Sequence, residues 1–119
     1  MYTVVLDTNM ILDAIKFRVD IFEELDRICE FQYDVAILDK TIDELKNKKN
    51  SKLALKIIEN KKVNILKTEQ GYVDDLLLKL DDKKIIATND QELKRKLKKL
   101  NRKIITLRQK KYLITENVL

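Results

Sequence analysis

The residue types able to do chemistry in this chain are few, and nearly all of them are carboxylates. There is no His, the only Ser is Ser51 and the only Cys is Cys29. Nucleophilic catalysis of the Ser–His or Cys–His kind is therefore closed, and so is His-based acid–base work. A single Cys cannot build a His/Cys zinc site. Carboxylates, Lys, Tyr and a hard cation held by oxygen are what remain for hydrolysis. The stretch "TVVLDTNMIL" (3–12) shows where to look: a strand-like apolar run stops at Asp7, Thr8 and Asn9, and apolar residues then resume.

Each acidic candidate has an ordinary structural reading. Asp7, Thr8 or Asn9 could cap a following helix. "TIDEL" (41–45) reads as a capping box with Thr41 as cap and Glu44 three residues on, and "NDQE" (89–92) has the same form. Asp74 and Asp75 come early in a helical segment, where the macrodipole favours a carboxylate.

The elements that must position these groups can be read from periodicity, since Gly71 is the only glycine and there is no proline. "TVVL" (3–6), "DVAIL" (34–38), "KVNIL" (62–66), "KIIAT" (84–88) and "KIITL" (103–107) are β-branched runs that predict strands. Between them, Ile21, Phe22, Leu25, Ile28 and Cys29 recur at helical spacing, and "LALKIIEN" and "VDDLLLKL" behave alike. In the helix expected over 71–81, Val73, Leu76, Leu77 and Leu80 form the buried face. Near 93–100, Leu93, Leu97 and Leu100 form one stripe against a basic background. Strands alternating with helices predict an α/β fold with a five-stranded parallel sheet, the first and fourth strands adjacent. Asp7, Glu44 and Asp90 would then follow strands at the edge where such sheets bind ligands. A carboxylate cluster there repels itself unless a cation neutralises it, and without His the suited ions are Mg²⁺ and Mn²⁺.

Composition bounds the rest. At 119 residues, with 45% hydrophobic and 38% charged content, a single globular domain is expected over 1–119. The start lacks the segments of a signal peptide, and no apolar run approaches the ~20 residues that cross a bilayer, so a cytoplasmic protein without a membrane partner is expected. Residues 1–93 carry 15 Lys and Arg against 19 Asp and Glu, whereas residues 94–119 carry 10 against 1. A basic C-terminal part completing an acidic body suits a polyanion held over a metal site. Lys94, Arg95, Lys98, Lys99, Arg102, Arg108, Lys110 and Lys111 are expected to face solvent, part of them on phosphates.

"VVLDTNMIL", "TIDEL", "VDDLLL" and "IIATNDQELKRKL" resemble, in order and spacing over nearly the whole chain, the PIN-domain nucleases. The ending from "ATNDQELKRKL" looks most like the archaeal branch related to the small-subunit processome nucleases that process ribosomal RNA; VapC-like toxins are the nearest alternative, and a non-catalytic PIN-fold module that binds RNA or protein is the third. The resemblance implies a Rossmann-like sheet and Mg²⁺- or Mn²⁺-dependent endoribonuclease activity. It matches Asp7 to the first acid, Glu44 to the second and Asp90 to the fourth. For the third it offers Asp74 and Asp75, with Asp75 preferred because the apolar run begins after it. Asn9 and Thr88 fit positions that orient the cluster by hydrogen bonds. The implied partners are RNA, a second copy of the chain, and pre-ribosomal or antitoxin protein.

Overall fold

Val4 and Leu6 leave the first strand on one side and Val5 on the other, and all three are buried. A strand covered on both faces needs helices above and below it, and that need shapes the chain. The computed structural model describes residues 1–116, so the last three residues of the expected 1–119 domain and of the basic segment 94–119 lie outside the described residues. The elements run β1 (Tyr2–Leu6), α1 (Thr8–Lys16), α2 (Ile21–Ile28), β2 (Tyr33–Leu38), α3 (Asp39–Leu45), α4 (Ser51–Asn60), β3 (Asn64–Leu66), α5 (Val73–Leu78), β4 (Lys84–Ala87), α6 (Gln91–Lys99), β5 (Ile104–Arg108) and β6 (Tyr112–Glu116).

The sheet has the order β3-β2-β1-β4-β5-β6. All neighbouring pairs are parallel except β5 with β6. The first and fourth strands are adjacent, as the pattern predicts, and strand order reverses between them. One apolar layer gathers Leu6, Ile37, Ile85 and Ile105 under α1, α2 and α4. The other gathers Val5, Leu38, Ile86 and Ile104 under α5 and α6. Among the described residues no helix is long and apolar enough to cross a membrane.

The sixth strand is the departure from the expected five. β6 returns antiparallel on β5 through Gln109 and Lys110, both with positive φ, and Lys111 N–H closes the turn on the Arg108 carbonyl at 3.1 Å. Two successive left-handed residues suit such a hairpin, but Asn-Gly or Asp-Gly pairs usually supply them. With Gln-Lys there, no turn signal separates the two strands. Two shorter differences concern helices. The helix expected over 71–81 spans Val73–Leu78, with Leu80 only packed against the layer. Thr41 is no cap: it lies buried inside α3, which starts at Asp39.

β6 is an edge strand, and α2 covers part of that edge chemically. Leu113 N–H donates to Glu24 Oε1 at 2.9 Å, and Arg27 Nη2 donates to the Leu113 carbonyl at 2.9 Å. The same two side chains are joined to each other by Arg27 Nε and Nη2 at 3.0 and 2.9 Å. The pair thus fills the place that a further strand would take, and it blunts a pairing edge. Replacing Glu24 and Arg27 together by Ala should lower the melting temperature and cause concentration-dependent association, seen as earlier elution in size-exclusion runs. A variant whose elution matches the parent at every concentration would show that the pair does not guard the edge.

Candidate active site

In register across the α5/α6 side of the sheet stand Val5, Ile86 and Ile104. Two residues further along, alternation returns to the same side, and the sequence there is polar: Asp7, Thr88 and Thr106, all buried. The apolar layer therefore ends in a polar row at the carboxyl ends of three central strands. The backbone fixes this row, since Asp7 N–H donates to the Ala87 carbonyl and Thr88 N–H to the Ile105 carbonyl, each at 2.9 Å.

Asp7 is only 4% exposed. It is the N-cap of α1, its Oδ1 accepting from Thr8 N–H at 2.8 Å, and its Oδ2 accepts from the Thr88 hydroxyl, also at 2.8 Å. The same Thr88 oxygen accepts from Asp90 N–H at 3.1 Å. One hydroxyl thus ties the carboxylate ending β1 to the segment following β4. Asp90 caps α6 through Leu93 N–H at 3.0 Å, so the cap is Asp90 and not the Asn89 of the expected box. The Thr8 hydroxyl donates to Glu44 Oε1, which draws the exposed end of α3 toward Asp7.

Electrostatics shows which carboxylates face one another. Burial pushes the Asp7 carboxyl up to about 6, against the hydrogen bonds from Thr88 and Thr8, and the charges of Asp74 and Glu44 raise it further. Asp74 is also raised, by burial first and then by Asp90, Glu44 and Asp75, with Lys96 opposing. Of the two α5 carboxylates, it is the charge of Asp74 that acts on Asp7, while Asp75 acts on Asp74. The reason is helical geometry. At 3.6 residues per turn, Asp75 points away from the face built by Val73, Leu76 and Leu77, while Asp74 lies on its flank. Asn9 is exposed in the first turn of α1, next to this group.

The donor set is all oxygen, which suits Mg²⁺ or Mn²⁺. Among the described residues, none of Asp7, Glu44, Asp74 and Asp90 forms a salt bridge with Lys or Arg, so their mutual repulsion is left for a cation to relieve. No three carboxylates among the described residues are already drawn into a closed cage. The set fits an ion that keeps several waters and takes only one or two carboxylates directly.

Two bridging residues escaped the sequence reading. Thr8 joins Asp7 to Glu44. Asn89 donates from Nδ2 to Asp13 Oδ2 at 3.0 Å and accepts at Oδ1 from Leu107 N–H at 2.9 Å and the Thr106 hydroxyl at 3.3 Å. The adjacency of both to Asp7 and Asp90 was visible, but their partners lie 17 to 76 residues away.

The expected basic face is only partly free. Lys94 is 7% exposed and does not face solvent: its Nζ lies 3.3 Å from Thr106 Oγ1 and 3.5 Å from Glu116 Oε1. Lys98 pairs with the same Glu116 at 2.9 Å. Arg102 is half-buried and donates to the carbonyls of Asp81 and Lys84 at 2.5 and 3.4 Å. Arg95, Lys99, Arg108, Lys110 and Lys111 are exposed. Leu93 and Leu97 pack inward, but Leu100 is 55% exposed because α6 ends before it.

Residues 4–110 match the family described as PIN like domain. The chain is 30% identical over 124 residues to Ribonuclease VapC4 of Methanocaldococcus jannaschii, covering 94% of this chain and 95% of the relative. Its fold superposes on the solved structure of the PIN domain endonuclease Utp24 with a TM-score of 0.86, at 25% identity, over 99% of this chain and 93% of that one.

The raised Asp7 has a consequence for stability. Between the ordinary value of 3.8 and about 6, the unfolded chain has released the proton while the folded chain retains it. Stability in metal-free buffer should thus be fullest below pH 4 for this group and fall as pH rises through 6, by about 3 kcal/mol at ~1.4 kcal/mol per unit. Asp7→Asn keeps the shape and should remove that fall. Melting curves from pH 4 to 7 with chelator test it, and a variant that tracks the parent throughout would show that burial of the charge costs little.

Proposed function

The chain belongs to the PIN-like domain family, and from that premise we propose that it is a divalent-metal-dependent endoribonuclease that hydrolyses phosphodiester bonds at the β1/β4 edge. One observation carries the reading: Asp7 and Asp90 share the Thr88 hydroxyl at the carboxyl end of the central strands, Glu44 is tied in by Thr8, and none of these carboxylates or Asp74 forms a salt bridge with Lys or Arg among the described residues. The names of two relatives, a ribonuclease and a PIN domain endonuclease, support it. Mg²⁺ or Mn²⁺ held directly by one or two of Asp7, Asp74 and Asp90, with the remaining carboxylates and Glu44 on its bound waters, would supply water activation and stabilise charge on a phosphoryl oxygen.

The chain's own groups have distinct parts in this proposal. Asp7 is immobilised by three hydrogen bonds at once, to Thr8 N–H, the Thr88 hydroxyl and the Ala87 carbonyl. Thr88 spaces Asp7 from Asp90 and keeps both carboxylates turned to the edge. Glu44, exposed and held by Thr8, is free on its second oxygen to position water. Asp75 remains a peripheral negative charge. With no His at hand to deprotonate a 2′-hydroxyl, water is the nucleophile, and the products carry a 5′-phosphate and a 3′-hydroxyl.

A role in ribosomal or other RNA maturation is the leading reading of the substrate. The likeness to Ribonuclease VapC4 supports a second reading, a toxin ribonuclease held by an antitoxin peptide; a small protein from an adjacent reading frame that co-purifies with the chain and blocks cleavage would favour it.

Incubating RNA with Mn²⁺, with and without EDTA, and labelling the product ends tests the first reading. Cleavage that survives EDTA, or products ending in 2′,3′-cyclic phosphate, would falsify it. Mn²⁺ should also raise the melting temperature by mass action. Asp90→Asn should cut the rate about 100- to 1000-fold, the scale of losing one group that stabilises developing charge. Its melting temperature without metal should stay near the parent's, since Asn still caps α6.

A further inference from the structure

Beside the carboxylates, at the same edge of the sheet, stands an aromatic ring carrying two lysines. Phe17 ends α1, with Lys16 Nζ 5.4 Å and Lys110 Nζ 5.1 Å from its ring centroid. Lys16 and Lys110 are exposed, and neither forms a salt bridge among the described residues. Their positions follow from the topology. β4 pairs with β5 up to Ala87 and Ile105, and β5 then continues through Thr106, Leu107 and Arg108. At ~3.3 Å per residue, the hairpin tip rises about 10 Å above the end of β4, on the side of the sheet where Asp7 and Asp90 lie.

α1 connects the two places. Asn9, Asp13 and Phe17 recur at i, i+4 and i+8 and so share a helix face. Asp13 takes the hydrogen bond from Asn89, the residue before Asp90, and Asn89 also holds Leu107 of β5. Phe17 meets Lys110 at the hairpin. The helix thus runs from the carboxylates past the ends of β4 and β5 to the lysine pair, and the Asn89 bonds fix that distance. Ten residues from Asp7 to Phe17 at 1.5 Å each make about 15 Å.

We infer that Lys16, Phe17 and Lys110 form a seat for a single-stranded flank of the polynucleotide, about four nucleotides from the bond that is cut. The inference rests on the nuclease reading and adds to it the surface that carries the substrate. The two ammonium groups lie over the half-buried Phe17 ring; when they turn to phosphates, the ring face they leave offers a base a stacking partner, which a paired base inside a duplex cannot reach. At ~3.4 Å per stacked nucleotide, 15 Å corresponds to the stated spacing. The seat also answers a problem of charge: the carboxylates repel a polyanion, and Lys16 and Lys110 are exposed cations free of salt bridges among the described residues that can hold it.

The protein contains its own control. At the opposite edge of the sheet, Lys83 and Lys103 lie 5.1 and 5.5 Å from the ring of Tyr2, the same chemistry far from the carboxylates. The test measures binding of labelled single-stranded oligoribonucleotides by anisotropy in EDTA across salt concentrations, and metal-dependent cleavage separately. Lys16→Gln with Lys110→Gln should reduce the salt slope by about 1.4, from ~0.7 per phosphate, and raise KM with kcat kept. Lys83→Gln with Lys103→Gln should behave as the parent. Phe17→Leu, which keeps the apolar bulk, should weaken single-strand binding about tenfold, the scale of one lost stacking contact. Substrates with fewer than about four nucleotides on one flank should lose affinity in the parent and not in the Lys16/Lys110 variant. Equal losses in both lysine pairs, no loss in either, or no binding by the parent would overturn the seat. Parent binding with these dependences but without cleavage would instead sink the nuclease reading and leave the seat standing.

Discussion

The structure turns on one buried carboxylate. Asp7 sits where β1 stops, between a strand that must be apolar on both faces and a helix that needs a cap. Its two oxygens are given to two different elements, Thr8 N–H of α1 and the Thr88 hydroxyl beyond β4. That division explains why β1 and β4 must be neighbours. A hydroxyl reaches across one interstrand spacing of about 4.8 Å and no further, so the Asp7–Thr88 bond requires the strand order to reverse between these two strands. The Asp7 N–H bond to the Ala87 carbonyl sets the register that places them side by side. The edge where strand order reverses in a parallel sheet is where such folds bind ligands, and here that edge carries the group that holds the two strands together.

The cost of this arrangement falls on the same residues. Removing Asp7 from water raises its carboxyl toward the neutral form, and Asp74 and Glu44 add to the effect. Capping alone does not require this. The cap of α2, Asp20, is exposed and accepts from Phe22 and Glu23 N–H without a carboxylate neighbour in its hydrogen bonds. A helix can thus be started cheaply at the surface, while α1 is started by a carboxylate buried among others. The difference between the two caps is a physical argument that Asp7 serves more than the helix.

Much of the fold was legible in the sequence because its parallel strands are apolar on both sides. "TVVL", "DVAIL", "KIIAT" and "KIITL" needed no tertiary knowledge, and β3 was recognised with its start two residues early. β6 was not, since Gln109 and Lys110 take left-handed conformations that their side chains do not announce. The sequence showed Asp7, Glu44 and Asp90 following strands; which of Asp74 and Asp75 joins them depends on where a six-residue helix begins, a matter of one residue in phase. Leu100 was misread because periodicity continues past the point where the helix stops. Lys94 was misread for a different reason. Charge is visible in sequence but its partner is not, and Glu116, the only acid among residues 94–119, takes both Lys94 and Lys98.

That pairing changes what the basic C-terminal part means. With Lys94 and Lys98 committed to Glu116 and Arg102 to two carbonyls, three of the expected phosphate contacts serve to fasten α6 and β6 to the sheet. Lys94 also reaches Thr106, whose hydroxyl bonds Asn89, so the fastening extends to the residue beside Asp90. A buried ion pair of this kind is a weak source of stability but a strict one of geometry, since loss of either partner strands a charge. The cations left exposed are accordingly not those densest in sequence. They are set by where the hairpin and α1 end, and the same polar row that seats Asp7 fixes both ends. Position relative to the strand termini, more than net charge, separates the lysines that could meet a substrate from those that build the wall behind it.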